Sequence, residues 1–190
     1  MDFKDKVALI TGASRGIGAS IAYDLASHNC NICINYNNSY KEANDLKENK
    51  KGKIFVMSSL SSMTPIFLLG SYTSTKSAIS SLTIALHQEL KLIKSKISIS
   101  LIEPGAYYTG FNQVMIDNKE KYLNKNSIFY QKRYLLTKYQ KIIFKILEKR
   151  KLDSIVNKIV KEVESNKPKF HIRAPISQLI LTKIYLLLFR

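Results

Sequence analysis

At 190 residues and 45% hydrophobic content, the chain has enough apolar material for one globular domain with a real core and no disordered half. Its formal net charge of +16 is uneven: residues 1–118 hold 12 Lys and Arg against 9 Asp and Glu, and residues 119–190 hold 18 against 5. An AT-rich genome accounts for abundant Lys, Asn, Ile and Tyr, with attraction to an anionic partner as the functional alternative, and no apolar run reaches the roughly 18 to 20 residues that a bilayer-spanning helix needs.

Met1 to Lys6 carries both charge signs and runs straight into an apolar segment, without the separate basic and hydrophobic regions of a signal peptide, so a cytoplasmic protein is expected. Residues 6–10 read as a short strand ending in Thr11-Gly12, and Gly16 to about His28 as an amphipathic helix. Asn31 to Tyr36 gives a second strand. Cys30 and Cys33 form one C-x-x-C with no second ligand pair, and their odd spacing on a strand points the side chains to opposite faces, so they read as small apolar fillers rather than a metal or redox site.

Lys41 to Lys51 is a polar helical stretch that Gly52 is expected to end. Lys53 to Met57 follows as a third strand, Tyr72 to Lys91 as a helix with apolar spacing at Ala78, Leu82, Ala85 and Leu86, and Ile97 to Ile102 as a fourth strand before Pro104-Gly105. Strands alternating with helices imply a parallel α/β sheet. Beyond Gly105 the pattern is helical. Ile128, Leu135, Tyr139, Ile142, Ile143 and Ile146 form an apolar stripe through a very basic segment, and Ile155, Val156, Ile159, Val160 and Val163 form a second. Lys169 to Arg173 could be a last short strand, and Pro175 opens a closing helix that is apolar almost all round. His28, His87 and His171 are scattered and suggest no metal site.

Thr11-Gly-Ala-Ser-Arg-Gly-Ile-Gly18 follows the first strand and opens a helix, the setting in which a glycine turn receives a pyrophosphate. Gly12 permits the tight turn, Gly16 and Gly18 allow close approach, and the helix N-terminus offers free N–H groups and the positive end of its dipole. Tyr72 and Lys76, four apart on a helix, share a face, so the ammonium is expected to draw the phenol's pKa below its ordinary value. Ser59 lies thirteen residues upstream at the end of the third strand, with Ser58, Ser61 and Ser62 as rivals. Pro104-Gly-Ala-Tyr-Tyr-Thr109 follows the fourth strand and is, at its plainest, a turn.

The T-G-x-x-x-G-I-G loop, the ordered Ser59, Tyr72 and Lys76, and the P-G-x-x-x-T segment together resemble the short-chain dehydrogenase/reductase family of classical type, in the manner of its 3-oxoacyl-acyl-carrier-protein reductase-like members. The resemblance covers residues 1–110 directly. It implies a Rossmann-like doubly wound parallel sheet and hydride transfer between NAD(P)(H) and a carbonyl or alcohol substrate. In that scheme Ser59 would hydrogen-bond the substrate carbonyl, Tyr72 would move its proton, and Lys76 would assist. Gly12, Ser14, Arg15, Gly16, Ile17, Gly18, Tyr72, Lys76, Pro104, Gly105 and Thr109 would hold the cofactor. The second strand ends in Asn35-Tyr36-Asn37 without an acid to accept from a ribose 2′-OH, and Arg15 stands in the glycine loop, so NADP(H) is favoured over NAD(H). Arg15 as a solvated loop charge is the simpler alternative.

The sequence departs from the family between Tyr36 and Lys53, where typical members carry two further strand–helix units, including a catalytic asparagine with no counterpart here. The chain is therefore expected to be a single domain with an internal deletion: residues 1–110 as cofactor-binding and catalytic core, residues 111–190 as substrate-side helices and basic tail. Removing two strands should bring strand 6–10 against strand 53–57 in a five-stranded sheet of order 2-1-3-4-5, shifting Ser59 and Tyr72 relative to the glycine loop and weakening turnover. A truncated relative that only binds a nucleotide is the alternative function. Expected partners are a small carbonyl or alcohol substrate, no nucleic acid, an anionic membrane surface or acyl carrier met peripherally by the helix from Pro175, and a second copy in a homo-oligomer.

Overall fold

Strand and helix alternate through the computed structural model much as the apolar spacing predicts; it describes residues 3, 4, 6–11, 16–35, 51–64 and 68–189. The elements are β1 (Val7–Thr11), α1 (Gly16–Ser27), β2 (Asn31–Asn35), β3 (Lys51–Met57), α2 (Gly70–Leu92), β4 (Lys96–Pro104), α3 (Phe111–Tyr122), α4 (Arg133–Leu147), α5 (Asp153–Glu164), β5 (His171–Ala174) and α6 (Ile176–Phe189). The predicted helix over 41–51 lies outside the described residues up to Lys50. Gly52, expected to end it, is inside β3 opposite Ile97 of β4, because β3 starts two residues earlier than its apolar run. Only 15 residues, 36–50, separate β2 from β3, too few for two further strand–helix units.

The chain divides into two compact units, residues 1–105 with 153–190, and residues 106–152. The first holds all five strands, every pairing parallel. They do not, however, form the single expected sheet of order 2-1-3-4-5. β1 pairs with β2, from Val7 opposite Asn31 to Thr11 opposite Asn35, and β3, β4 and β5 form a separate three-stranded set. Among the described residues no ladder joins β1 to β3.

Two local features lie on either side of that seam. Lys6, at the entry to β1, and Lys53, on β3, are close enough that Lys6, after burial, is what pushes the Lys53 ammonium below its ordinary range. Lys53 is held elsewhere, its Nζ donating to the Val163 carbonyl at 2.6 Å. The second feature is a helical joint. α5 packs on both α1 and β5, and its stripe of Ile155, Val156, Ile159 and Val160 is buried together with Ile21, Ala22 and Leu25 of α1. Burying each large aliphatic side chain stabilises the fold by about 1.5–3 kcal/mol, so strand pairing across the seam is not required to hold the sets together. Asp153 in the first turn of α5 and Lys161 in its last complement the helix dipole.

The second unit, 106–152, contains α3 packed on α4. It is closed by a backbone clasp in which Tyr108 N donates to Lys149 O at 2.9 Å and Lys149 N to Ala106 O at 3.0 Å. Glu148 accepts from Asn112 Nδ2 at 2.7 Å and from Gln113 Nε2, tying α3 to the end of α4.

Candidate active site

β3 ends at Met57, and the chain turns at once into a 3-10 helix, Leu60–Ser62, whose N-cap is Ser59. The Ser59 Oγ accepts from Ser61 N at 3.2 Å and from Ser61 Oγ at 3.0 Å, and donates to Pro104 O at 3.3 Å. That last bond ties the end of β3 to the end of β4. Ser59 is buried, and its side chain lies near enough to Tyr72 to pull the phenol's pKa down. Of the four candidate serines, Ser59 is the one that acts on Tyr72.

The neighbouring serines position it. Ser58 Oγ bonds to Ser80 Oγ at 2.7 Å and donates to Lys76 O at 3.1 Å, while Ser77 Oγ donates to Ser62 O at 2.7 Å. These hydroxyls clasp α2 to the end of β3. Sequence reasoning passed over Ser77 and Ser80, although Ser77, Ser80 and Ser81 recur at helical spacing on the face that also carries Thr73.

Tyr72 and Lys76 come together on the first turns of α2, with Lys76 Nζ 5.9 Å from the Tyr72 ring centroid. The expected acidification of the phenol is not observed. Burial pushes the Tyr72 hydroxyl above its ordinary value, and the nearby Ser59 only partly offsets that. The ammonium that should have lowered it is turned to the backbone, donating to Met57 O at 3.0 Å, and burial pushes Lys76 below its own usual range. Desolvation thus outweighs the pairing that the i, i+4 spacing suggests.

Of the cofactor-loop residues, Gly12, Ser14 and Arg15 lie outside the described residues, as do Tyr36 and Asn37. Gly16, Ile17 and Gly18 open α1, and Gly16 has φ +62°, a left-handed conformation natural only to glycine. The first turn of α1 carries no acid, so the positive end of its dipole is left for an anion. That local chemistry fits a pyrophosphate. Pro104 closes β4. Gly105 has a packing reason of its own: its N–H donates to Ala174 O at 2.8 Å, and a Cβ there would collide with Gln178 and approach Pro175 Cδ to 3.0 Å. Thr109, half-buried, belongs to the 106–152 unit, just before Gly110 at φ +80°. That unit has a cavity of about 710 Å³ whose lining includes Tyr108, Ile116, Phe144, Lys141 and Lys145.

One cluster was missed from sequence. Glu103, 1% exposed at the end of β4, accepts from Arg173 Nε at 2.7 Å and lies 2.7 Å from His171 Nδ1, both on β5. The signal was available: an acid closing an apolar strand, and His and Arg two apart on another, hence on one face. His171 and His87, scattered in sequence, both meet Phe170, His87 stacked at 4.1 Å and His171 edge-on at 4.7 Å.

A parallel α/β core with a glycine-opened first helix, and a Ser, Tyr and Lys gathered where β3 meets α2, is a Rossmann-like arrangement. The short chain dehydrogenase family profile matches residues 37–120. Similar curated proteins are versicolorin reductase 1 of Dothistroma septosporum, 49% identical over 43 residues covering 23% of this chain and 16% of that one, and L-rhamnose 1-dehydrogenase (NADP(+)) of Thermoplasma acidophilum, 50% identical over 48 residues covering 25% and 19%. A 3-oxoacyl-[acyl-carrier-protein] reductase of Staphylococcus aureus is likewise 50% identical over 48 residues, covering 25% and 20%. The matched stretch thus spans a fifth or less of these relatives' length. The fold resembles a short chain dehydrogenase/reductase from Burkholderia phymatum in complex with NAD, at TM-score 0.70 and 14% identity, covering 100% of this chain and 97% of that one. A short chain dehydrogenase from Burkholderia cenocepacia in complex with NADP aligns at TM-score 0.61 and 12% identity, with 100% of both chains covered. The similarity to the short-chain dehydrogenase/reductase family thus rests on residues 37–120 in sequence and on the fold in structure.

Proposed function

We propose that this chain is an NADP(H)-linked oxidoreductase that interconverts a carbonyl and an alcohol, with Ser59, Tyr72 and Lys76 as its working residues. The observation that carries this reading is the placement of the buried Ser59 at the end of β3 against Tyr72, with Lys76 Nζ 5.9 Å from the Tyr72 ring on α2. The glycine loop from Gly12 through Ser14, Arg15, Gly16 and Ile17 to Gly18 would hold the cofactor, with Tyr72, Lys76, Pro104, Gly105 and Thr109 completing its contacts. When bound, the nicotinamide supplies the hydride. The chain's own part is to hold and polarise the substrate. Ser59, once its bond to Pro104 O is exchanged, donates toward the carbonyl oxygen, and Tyr72, kept protonated by burial, is a proton donor in the direction of reduction. Lys76 is positioned to stabilise the phenolate left behind once its bond to Met57 O is exchanged. Weak turnover is the expectation if the sheet closes around the missing block; among the described residues β1 and β3 are not laddered together, and the turnover assay decides between the two.

The 2′-phosphorylated cofactor is preferred because the second strand ends without an acid and Arg15 stands in the loop. The decisive experiment measures binding and turnover separately. NADPH should quench or shift on titration at lower concentration than NADH, and should be oxidised with a short-chain ketone. Binding without oxidation would favour the nucleotide-binding alternative, and equal affinity for the two cofactors would defeat the NADP(H) assignment. A second reading concerns partners. The exposed apolar residues Ile180, Ile184, Leu187 and Leu188 of α6, with Lys183, suit contact with an anionic membrane surface more than with an acyl carrier, and a homo-oligomer contact is the competing use. Among the described residues no helix is long and apolar enough to cross a membrane.

A further inference from the structure

Helix α4 is inside out. Its inward face consists of Thr137, Gln140 and Phe144, all buried, with the Thr137 hydroxyl lacking a hydrogen-bond partner. Its apolar residues Leu135, Tyr139, Ile142, Ile143 and Ile146 are instead exposed, Tyr139 by 55% and Ile146 by 75%. At 3.6 residues per turn these five fall within an arc of about 100°, on the side away from the buried three. Lys138, Lys141 and Lys145 fall together along one flank of that arc, and α4 contains no acidic residue. A helix that settles polar groups inward and presents a continuous apolar strip outward is shaped for something outside the unit.

We infer that α4 is an interfacial anchor that lies in the plane of an anionic lipid surface, its apolar strip entering the acyl boundary and its flanking lysines meeting the head groups. The inference rests on the membrane-surface reading given above for α6 but assigns the contact to a different helix. Charge selects the occupant. A second copy docked face to face would bring two rows of lysines together in a chain already at +16, whereas an anionic bilayer satisfies strip and flank at once. An acidic protein would use the lysines and leave the apolar arc unexplained.

The chain has no tryptophan, so Ile146→Trp places a single reporter in the strip at an exposed position. Its emission should shift to the blue with vesicles of equal phosphatidylcholine and phosphatidylserine, and not with phosphatidylcholine alone. In flotation, Ile142→Glu with Ile146→Glu should weaken binding to the anionic vesicles by roughly tenfold or more, with helicity by circular dichroism unchanged. Leu187→Ser with Leu188→Ser should weaken it less. If the α4 variant floats like the parent while the α6 variant does not, the assignment to α4 fails and the surface reading survives. If the parent stays unbound, both fail. Loss of a dimer on size exclusion in the α4 variant, or equal binding to neutral vesicles, would also overturn the assignment, and a reporter that stays red-shifted on bound protein does so without relying on the charged variant.

Discussion

At Tyr72 the local spacing and the tertiary surroundings give opposite answers, and the surroundings win. The i, i+4 lysine suggested an acidified phenol, but Lys76 is spent on the Met57 carbonyl and burial raises the tyrosine. The sign matters for pH. A group whose pKa is raised stays protonated through neutrality, so carbonyl reduction, which needs the proton on Tyr72, should be level through the mildly alkaline range. Alcohol oxidation, which needs the phenolate, should keep climbing past the ordinary tyrosine pKa of about 10. Tyr72→Phe should lower turnover by about 10²–10⁴-fold while leaving NADPH titration little changed. A rate that survives the substitution, or an oxidation plateau well below that pH, would remove Tyr72 from the proposed role.

Elements were legible where periodicity alone decides them. β1, α1, β2, α2, β4 and the stripe of α5 stand within a few residues of their expected positions, because apolar spacing, glycine turns and proline boundaries act locally. Two things were not legible. The strip on α4 reads like the stripe on α5, since periodicity tells that a face is apolar and not which way it points. Glu103 looked like an ordinary strand-end acid until β5 set Arg173 and His171 beside it. The carboxylate makes these two strands interdependent beyond their four register pairs. Glu103→Gln should cost about 3 kcal/mol in denaturant unfolding, because Arg173 is left partly buried without its counter-charge; a loss under 1 kcal/mol would mean that the pair is effectively solvated.

For the molecule as a whole, the seam between strand sets was beyond sequence reasoning because it involves tertiary contacts such as α5 reaching α1. If helix packing rather than a ladder is the joint, truncating it should uncouple the two sets. Ile159→Ala should destabilise the chain by about 3 kcal/mol, and amide exchange should then show β1 and β2 opening before β4. Simultaneous opening of all five strands would mean that another contact carries the coupling.

The serine clasp that fixes α2 to the end of β3 is made of neutral hydroxyls and carbonyls. Dissolved ions screen charges and have little purchase on such bonds, so the spacing of Ser59 and Tyr72 should be indifferent to ionic strength, while the hold of a lysine-lined helix on an anionic surface slackens as salt rises. One chain would thus carry a chemical centre and an attachment that answer to different properties of the same medium, and brine could detach the protein without disarming it.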